Sequence, residues 1–170
     1  MTSETKTIQV RPARPDDAPV LCAFLNEIIR IGGTTAHQTP FTPEGFVEHY
    51  LAGPGFVSCF VAEDETGEPC AFQALDRWDG IPEDWADIGT FSRPGNKVTG
   101  AGTALFKATC DYARSIGLKA LNATIRADNT GGLAYYGKMG FVDYKVDKAV
   151  PLNDGTLVDR VWKRYFLAEA

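Results

Sequence analysis

The stretch Thr90-Phe91-Ser92-Arg93-Pro94-Gly95-Asn96-Lys97-Val98-Thr99-Gly100-Ala101-Gly102-Thr103-Ala104-Leu105-Phe106 reads as a short strand, a turn rich in Pro, Gly and Asn, and a helix whose first turn carries Gly100, Gly102 and Thr103. A helix start leaves about four backbone N–H groups without intrahelical partners and carries roughly half a positive charge. Glycines at that point let an anion come close to those donors, so the stretch predicts a site for a phosphate. Gly-x-Gly alone also suits a plain strand-to-helix turn, and the surrounding elements have to decide. Two nucleotide-binding patterns fail on spacing. No Gly-x4-Gly-Lys-Ser/Thr run exists, and Gly100-Ala101-Gly102 is followed by Leu105 where a dinucleotide fingerprint needs a third Gly or Ala.

Downstream, Ala104, Leu105, Ala108, Tyr112 and Ala113 give a helix from Gly100 to about Ser115 an apolar side, with Gly117 as its C-cap. Ala120-Leu121-Asn122-Ala123-Thr124-Ile125 is the next strand, reached by a crossover and so parallel to the strand Ala86–Ser92. Such a β–α–β unit binds its ligand at the C-terminal end of the first strand. Upstream, Phe56–Glu63 and Pro69–Leu75 form a hairpin about the turn Glu65-Thr66-Gly67-Glu68. Between that hairpin and the phosphate turn lies a loop, 77–85, with Trp78 and Trp85.

Nearer the N-terminus, Ile8–Arg11 alternates as a strand, and residues 1–6 read as a frayed tail. Pro15-Asp16-Asp17-Ala18 starts a helix with Val20, Leu21, Phe24, Leu25, Ile28 and Ile29 on its apolar side, ended by Gly32-Gly33. A polar loop, Thr34–Phe41, leads to a second helix capped by Thr42, with Pro43 in its first turn and Phe46, Val47 and Tyr50 buried. After Phe141 come Val142-Asp143-Tyr144, a turn region around Asn153-Asp154-Gly155, and a last strand from Thr156 through Phe166.

Composition narrows the function. A chain of 170 residues with 44% hydrophobic content fits one domain, 1–170, with a complete core. A formal net charge of -5 argues against nucleic acid, which needs a basic field, so a bound polyphosphate must rely on local amides and a few cations. Cys22, Cys59, Cys70 and Cys110 show no CxxC pair and no His at zinc spacing. With no charged-then-apolar leader, this points to reduced, buried thiols, a cytoplasmic location and no metal. There is no apolar run near 18 residues, so no membrane partner is expected.

Lys97-Val98-Thr99-Gly100-Ala101-Gly102 resembles the (Gln/Arg)-x-x-Gly-x-(Gly/Ala) signature by which GNAT-superfamily N-acetyltransferases hold the pyrophosphate of acetyl-CoA, with Lys97 in place of Gln or Arg. Asn129-Thr130-Gly131-Gly132-Leu133-Ala134-Tyr135-Tyr136-Gly137-Lys138-Met139-Gly140-Phe141 resembles the second signature, Asn-x-x-Ala-x-x-Phe/Leu-Tyr-x-Lys-x-Gly-Phe, with Gly132 replacing the common Ala. The opening Arg-Pro-Ala then Asp-Asp-Ala, and the loop and helix that follow, are similar to the phosphinothricin acetyltransferase-like branch. The resemblance implies an α/β (α+β) fold, the GNAT fold, with a mixed central sheet, a strand splayed at the acetyl-CoA site and flanking helices. It implies acetyl transfer to a small-molecule amine, such as an amino acid or amino-acid-like compound. Acetylation of a protein or peptide N-terminus, or a non-catalytic acyl-CoA-binding module, are the alternatives. A homodimer is possible through the final strands.

The resemblance also implies roles for particular residues. Thr90, Phe91 and Ser92 would bond the pantetheine arm through their backbone, Lys97, Val98, Thr99, Gly100, Ala101, Gly102 and Thr103 would hold the pyrophosphate, and Asn129 the pantetheine region. Tyr136 stands where the family has the acid that protonates the coenzyme A thiolate; the alternative is a structural role. Its neighbour Tyr135 then packs elsewhere. Asp87 falls where this branch carries a catalytic Glu, with Glu83 or Asp84 as other bases and capping at the strand entrance as its bland alternative. Thr35 and His37 lie in the loop that shapes the acceptor pocket, where His37 would meet an acceptor carboxylate or simply be solvated. Trp78 and Trp85 either line that pocket or cover the sheet edge.

Overall fold

The computed structural model describes residues 7–95 and 97–168. The expected frayed tail, 1–6, and Asn96 lie outside the described residues. β1 (Gln9–Pro12) leads through a single 3-10 turn (Pro15–Asp17) into α1 (Ala18–Ile31). The Arg and Asp of the opening explain this corner. Arg11 donates to both Asp17 oxygens at 2.8 Å and to Glu63 at 2.6 Å, and Asp17 also accepts from the Arg14 N–H at 2.7 Å. The start of α1 is thereby fastened to β1 and to its neighbour in the sheet.

α1 buries Leu21, Cys22, Phe24, Leu25, Ile28 and Ile29, while Val20, expected on that side, is exposed. Thr42 caps α2 (Pro43–Val47), its hydroxyl accepting from the Gly45 N–H at 3.0 Å. α2 then widens into a π turn, Glu48–Ala52, which carries Tyr50 inward. Wide turns of this kind recur at functional sites because they re-aim a side chain. β2 (Phe56–Glu63) and β3 (Pro69–Asp76) form the expected hairpin, and β4 (Trp85–Ser92) follows antiparallel to β3. α3 (Ala101–Ser115) crosses over to β5 (Ala120–Arg126), parallel to β4. α4 (Thr130–Met139), β6 (Val142–Pro151) and β7 (Leu157–Phe166) complete the order β1-β2-β3-β4-β5-β7-β6. This is the mixed α/β sheet expected, with every ladder antiparallel except β4–β5.

Two sequence expectations need correction. Tyr112, assigned to the apolar side of α3, is exposed and meets Phe60 edge-on, while Phe106, Thr109 and Cys110 are buried in its place. The ten residues of β6 were legible only at their start. An edge strand with both faces largely open to water carries no alternation of apolar and polar residues to read. All four cysteines are free and buried.

The core lies on both faces of the sheet. α1, α2 and the π turn cover one face of β2–β4, around Phe46, Phe72 and Phe91. α3 and α4 cover the other, around Leu75, Ile88, Phe106, Leu121, Tyr136 and Phe141.

Candidate functional site

The site begins where β4 and β5 part. They pair only from Trp85 to Asp87 against Ala120 to Asn122, after which β5 runs on to Arg126 beside β7 and β4 stays with β3. The register on the β3 side decides which backbone groups face the opening. Arg93 N–H donates to Cys70 C=O at 2.9 Å, so Phe91, Gly89 and Asp87, two, four and six residues earlier, also bond toward β3. Thr90 and Ser92 turn their N–H and C=O groups the other way, into the gap. Phe91, grouped with them from the sequence, has its backbone toward β3 and its ring stacked on Phe72 at 4.9 Å.

Beyond the gap, Gly100 takes a left-handed φ of 89° as the N-cap of α3 and has no side chain to fill the first-turn amides. The first intrahelical bond runs from Ala104 N–H to Gly100 C=O at 3.0 Å, which leaves the Gly102 and Thr103 amides ahead of it. Lys97, Thr99 and Thr103 are exposed around this turn, Val98 is half-buried, and Ala101 is buried beneath it. Gly102 has a packing reason to be glycine: a Cβ there would stand 2.7 Å from the Tyr135 ring.

α4 ties these parts together through its adjacent tyrosines. Tyr135 donates its hydroxyl to the Gly102 carbonyl at 2.8 Å and accepts from Gln73 Nε2 at 3.0 Å. Tyr136, buried, places its hydroxyl 2.9 Å from Thr90 Oγ1 at the mouth of the gap. Burial holds both phenols above their ordinary range, Tyr135 at about 12 and Tyr136 further up, with hydrogen bonding from Thr90 opposing the shift of Tyr136. The doubled Tyr of the sequence thus has two distinct stations. Asn129 caps α4, accepting from the Gly132 N–H at 2.9 Å, and donates to the Thr34 carbonyl at 3.1 Å. Gly132 is what makes room: a Cβ there would lie 2.4 Å from Asn129 Nδ2.

On the opposite face, Asp87 sits at the last paired position of β4. Asn122, its partner on β5, donates to Asp87 Oδ1 at 2.7 Å and to Thr124 Oγ1 at 3.0 Å, and accepts from the Tyr144 hydroxyl at 2.5 Å. Asp76 on β3 lies directly across from Asp87. Burial raises the Asp87 carboxyl to about 7, opposed by hydrogen bonding from Asn122, reinforced by the Asp76 charge and opposed again by Trp78. Trp78 otherwise leans on Trp162 at 6.0 Å and lies over Gly80, while Trp85 packs edge-on against Tyr144 and Phe166.

The loop before α2 reaches the same face. His37 Nε2 pairs with the Tyr50 hydroxyl at 2.6 Å, and its ring lies among Phe41, His49 and Phe91. Burial lowers the imidazole to about 4, with the nearby His49 adding to it, so His37 is neutral at pH 7 and brings no cation to a carboxylate. Thr35 is buried, bracing the loop by accepting from the His37 N–H at 3.1 Å, while its carbonyl accepts from Arg126 at 3.3 Å. The residues that sequence reasoning passed over are Gln73, Asn122, Tyr144, Asp76 and Tyr50 as a polar group. Asn122 carried a signal, a lone amide inside the apolar run Ala120–Ile125. Gln73 carried the same one inside Cys70–Leu75. No group of three or more His, Cys, Asp or Glu among the described residues is arranged to hold a metal ion, and no described helix is long and apolar enough to cross a membrane.

Comparison with known proteins agrees with this geometry. "Putative phosphinothricin acetyltransferase YwnH" of Bacillus subtilis is 26% identical over 152 residues, covering 88% of this chain and 93% of its own. A crystal structure described as a putative phosphinothricin N-acetyltransferase superposes with a TM-score of 0.82 at 25% identity, over 96% of this chain and 100% of that one. A GNAT-superfamily phosphinothricin acetyltransferase from Sinorhizobium meliloti, solved in complex with AcCoA, shares the fold with a TM-score of 0.82 at 18% identity, over 95% of this chain and 89% of that one. The profile of the Acetyltransferase (GNAT) family matches residues 22–141, from the second turn of α1 to the Phe that ends the second motif. With the parted strands, the glycine-capped helix and both motifs inside that span, the chain belongs to the Acetyltransferase (GNAT) family.

Proposed function

We propose that this acetyltransferase uses acetyl-CoA to acetylate the amine of a small molecule, an amino acid or an amino-acid-like compound. The observation that carries the reading is the pair of tyrosines on α4, one bonded to the phosphate-turn carbonyl of Gly102 and the next to Thr90 in the gap. A single rigid helix thereby sets the distance between a diphosphate site and a proton donor. The fit to coenzyme A rests on the uncapped first turn of α3 at one end and the outward backbone of Thr90 and Ser92 at the other. The Gly102 and Thr103 amides would hold the diphosphate, with Lys97 supplying a cation, and Thr90 and Ser92 would extend the sheet along the pantetheine arm. Acetyl-CoA supplies the activated acetyl thioester. That Sinorhizobium relative was solved with AcCoA, which supports the choice of donor.

The residues of the chain supply binding and proton movement. Tyr136, its phenol above its usual range, still holds its proton at neutral pH and can pass it to the leaving thiolate sulfur. Asp87, at about 7, is half ionised near neutrality and is matched to taking a proton from the incoming amine. The need for a base is real for a lysine-like amine, whose deprotonation at pH 7.4 costs roughly 4 kcal/mol. Asn122, itself held by the Tyr144 hydroxyl, fixes the Asp87 carboxylate in place.

The test is thiol release from acetyl-CoA against a panel of free amino acids and their phosphinic analogues, run beside a panel of peptides. Turnover with the free amino compounds, lowered about 100-fold in Tyr136→Phe and also lowered in Asp87→Asn, is the expected result. Turnover confined to peptides, or none with any amine while coenzyme A binds, would overturn the substrate class.

A further inference from the structure

The direction of the hydrogen bonds around Tyr136 can be read from a fixed starting point. The Gly102 carbonyl only accepts, so the Tyr135 hydroxyl 2.8 Å away gives it its one proton. The Gln73 amide atom 3.0 Å from that hydroxyl must then be a donor, which makes it Nε2 and decides which way round the amide lies. The second hydrogen on Nε2 goes to Thr90 Oγ1, also 3.0 Å away. The Thr90 hydroxyl, taking a hydrogen from Gln73, has its own to give, and Tyr136 Oη at 2.9 Å is placed to accept it. In that arrangement Tyr136 accepts from the Thr90 hydroxyl and keeps its own proton for another direction.

An unsatisfied atom marks what this polarity costs. Gln73 is fully buried, and its Oε1 has no partner among the described residues. Leaving a buried acceptor unmade costs about 1–3 kcal/mol. Turning the amide over would satisfy Oε1 on Thr90 but would set it against the lone pairs of Tyr135.

We infer that Gln73 and Thr90 are positioning residues that keep the Tyr136 proton turned into the gap between β4 and β5, where the phenol acts as a donor and never as an acceptor. This rests on the acetyl-transfer reading above and extends it. The Tyr136 O–H bond breaks as an S–H bond forms on the leaving thiolate, and Thr90 holds the phenolate until water returns the proton. Gln73 acts through Thr90 and touches neither donor nor acceptor.

Four variants separate this role from a packing role: Gln73→Met, Gln73→Glu, Thr90→Val and Thr90→Ser. Calorimetry with coenzyme A should give dissociation constants within about threefold of wild type for all four. With acetyl-CoA and an amine turned over in the panel, Gln73→Met and Thr90→Val should lose roughly 10–100-fold in kcat, and Gln73→Glu at least as much, while Thr90→Ser stays close to wild type. With S-acetyl-4-nitrothiophenol, whose thiolate leaves without needing a proton, the losses should shrink to under about threefold. Equal losses with both donors, or full kcat in Gln73→Met and Thr90→Val, would overturn the inference. Neutron diffraction from deuterium-exchanged crystals reads the polarity without any acceptor. A Thr90 deuteron lying toward Tyr136 supports the inference, and a Tyr136 deuteron on Thr90 Oγ1 refutes it. If wild type takes up no coenzyme A, the acetyl-transfer reading falls by itself, and the deuteron positions still decide the polarity.

Discussion

On the proposed reading Tyr136 and Asp87 carry the chemistry, and their environments push them in ways that can be measured. For Tyr136 the expected result of Tyr136→Phe is a fall in kcat of about 100-fold with coenzyme A affinity unchanged, because the ring stays in its packing and only the proton is lost. Stopped assays of turnover beside calorimetry check both halves. For Asp87 the sign follows from burial. Its folded pKa of about 7 lies above the unfolded value near 3.9, so it stabilises the fold fully below about pH 4, and this contribution is lost as pH rises through 7. Asp87→Asn, which mimics the protonated form, should therefore raise Tm at pH 8 and change it little at pH 4, as thermal melts across pH would show. The same substitution should remove an acidic limb near pH 7 from kcat/KM. An acidic limb that persists unchanged in Asp87→Asn would point the base role away from Asp87.

The elements succeed or fail on a few contacts. Gly100→Ala would force a Cβ onto a φ of 89°, costing roughly 1–2 kcal/mol, and would also spoil the anion turn. Gly102→Ala leaves φ unstrained but drives a methyl into the Tyr135 ring 2.7 Å away, so its expected signature is a coenzyme A affinity lowered about tenfold or more with a smaller loss of Tm. Chemical denaturation and calorimetry on the two variants distinguish them. At the start of α1, Asp17 is held below the usual carboxylate range mainly by its hydrogen bonds with Arg11. Its stabilising effect is present above pH 4 and lost as pH falls through its folded value. Asp17→Asn should cost roughly 1–3 kcal/mol at pH 7, shrinking toward zero in acid, since it leaves Arg11 with one partner fewer. The sequence disclosed these elements unevenly. β2, β3, β4, α3 and β5 were legible because they bury one or both faces and so show apolar runs or helical spacing. β6 was not, because a solvated edge strand is under no such constraint. At the site, Gly100, Gly102 and Tyr136 were legible as motif positions. Gln73, Asn122 and Tyr144 were not assigned, since a polar residue within a strand announces a partner without saying which distant element provides it. His37 read as an acceptor contact or a solvated side chain, and its partner Tyr50, thirteen residues on, was not legible from the loop.

For the molecule as a whole, the two ends of the sheet differ in kind. The β1–β4 half is packed on both faces, whereas β6 and β7 expose Val142, Val146, Leu157 and Phe166. A second copy is the expected cover for this end, and sedimentation should find twice the 18.5 kDa chain mass at micromolar concentration, reduced toward one by Val146→Lys. The other global fact is charge. With a net charge of -5 on the chain, the proposed diphosphate site has to rely on the local field of the α3 turn and the few cations around it. The most direct measurement is therefore a calorimetric comparison of coenzyme A with pantetheine, which has the same arm and thiol but no diphosphate. Saturable coenzyme A binding that weakens at least tenfold in Gly102→Ala is expected, with pantetheine binding at least a hundredfold weaker to wild type. Equal affinity for the two ligands, or no heat with coenzyme A, would contradict it.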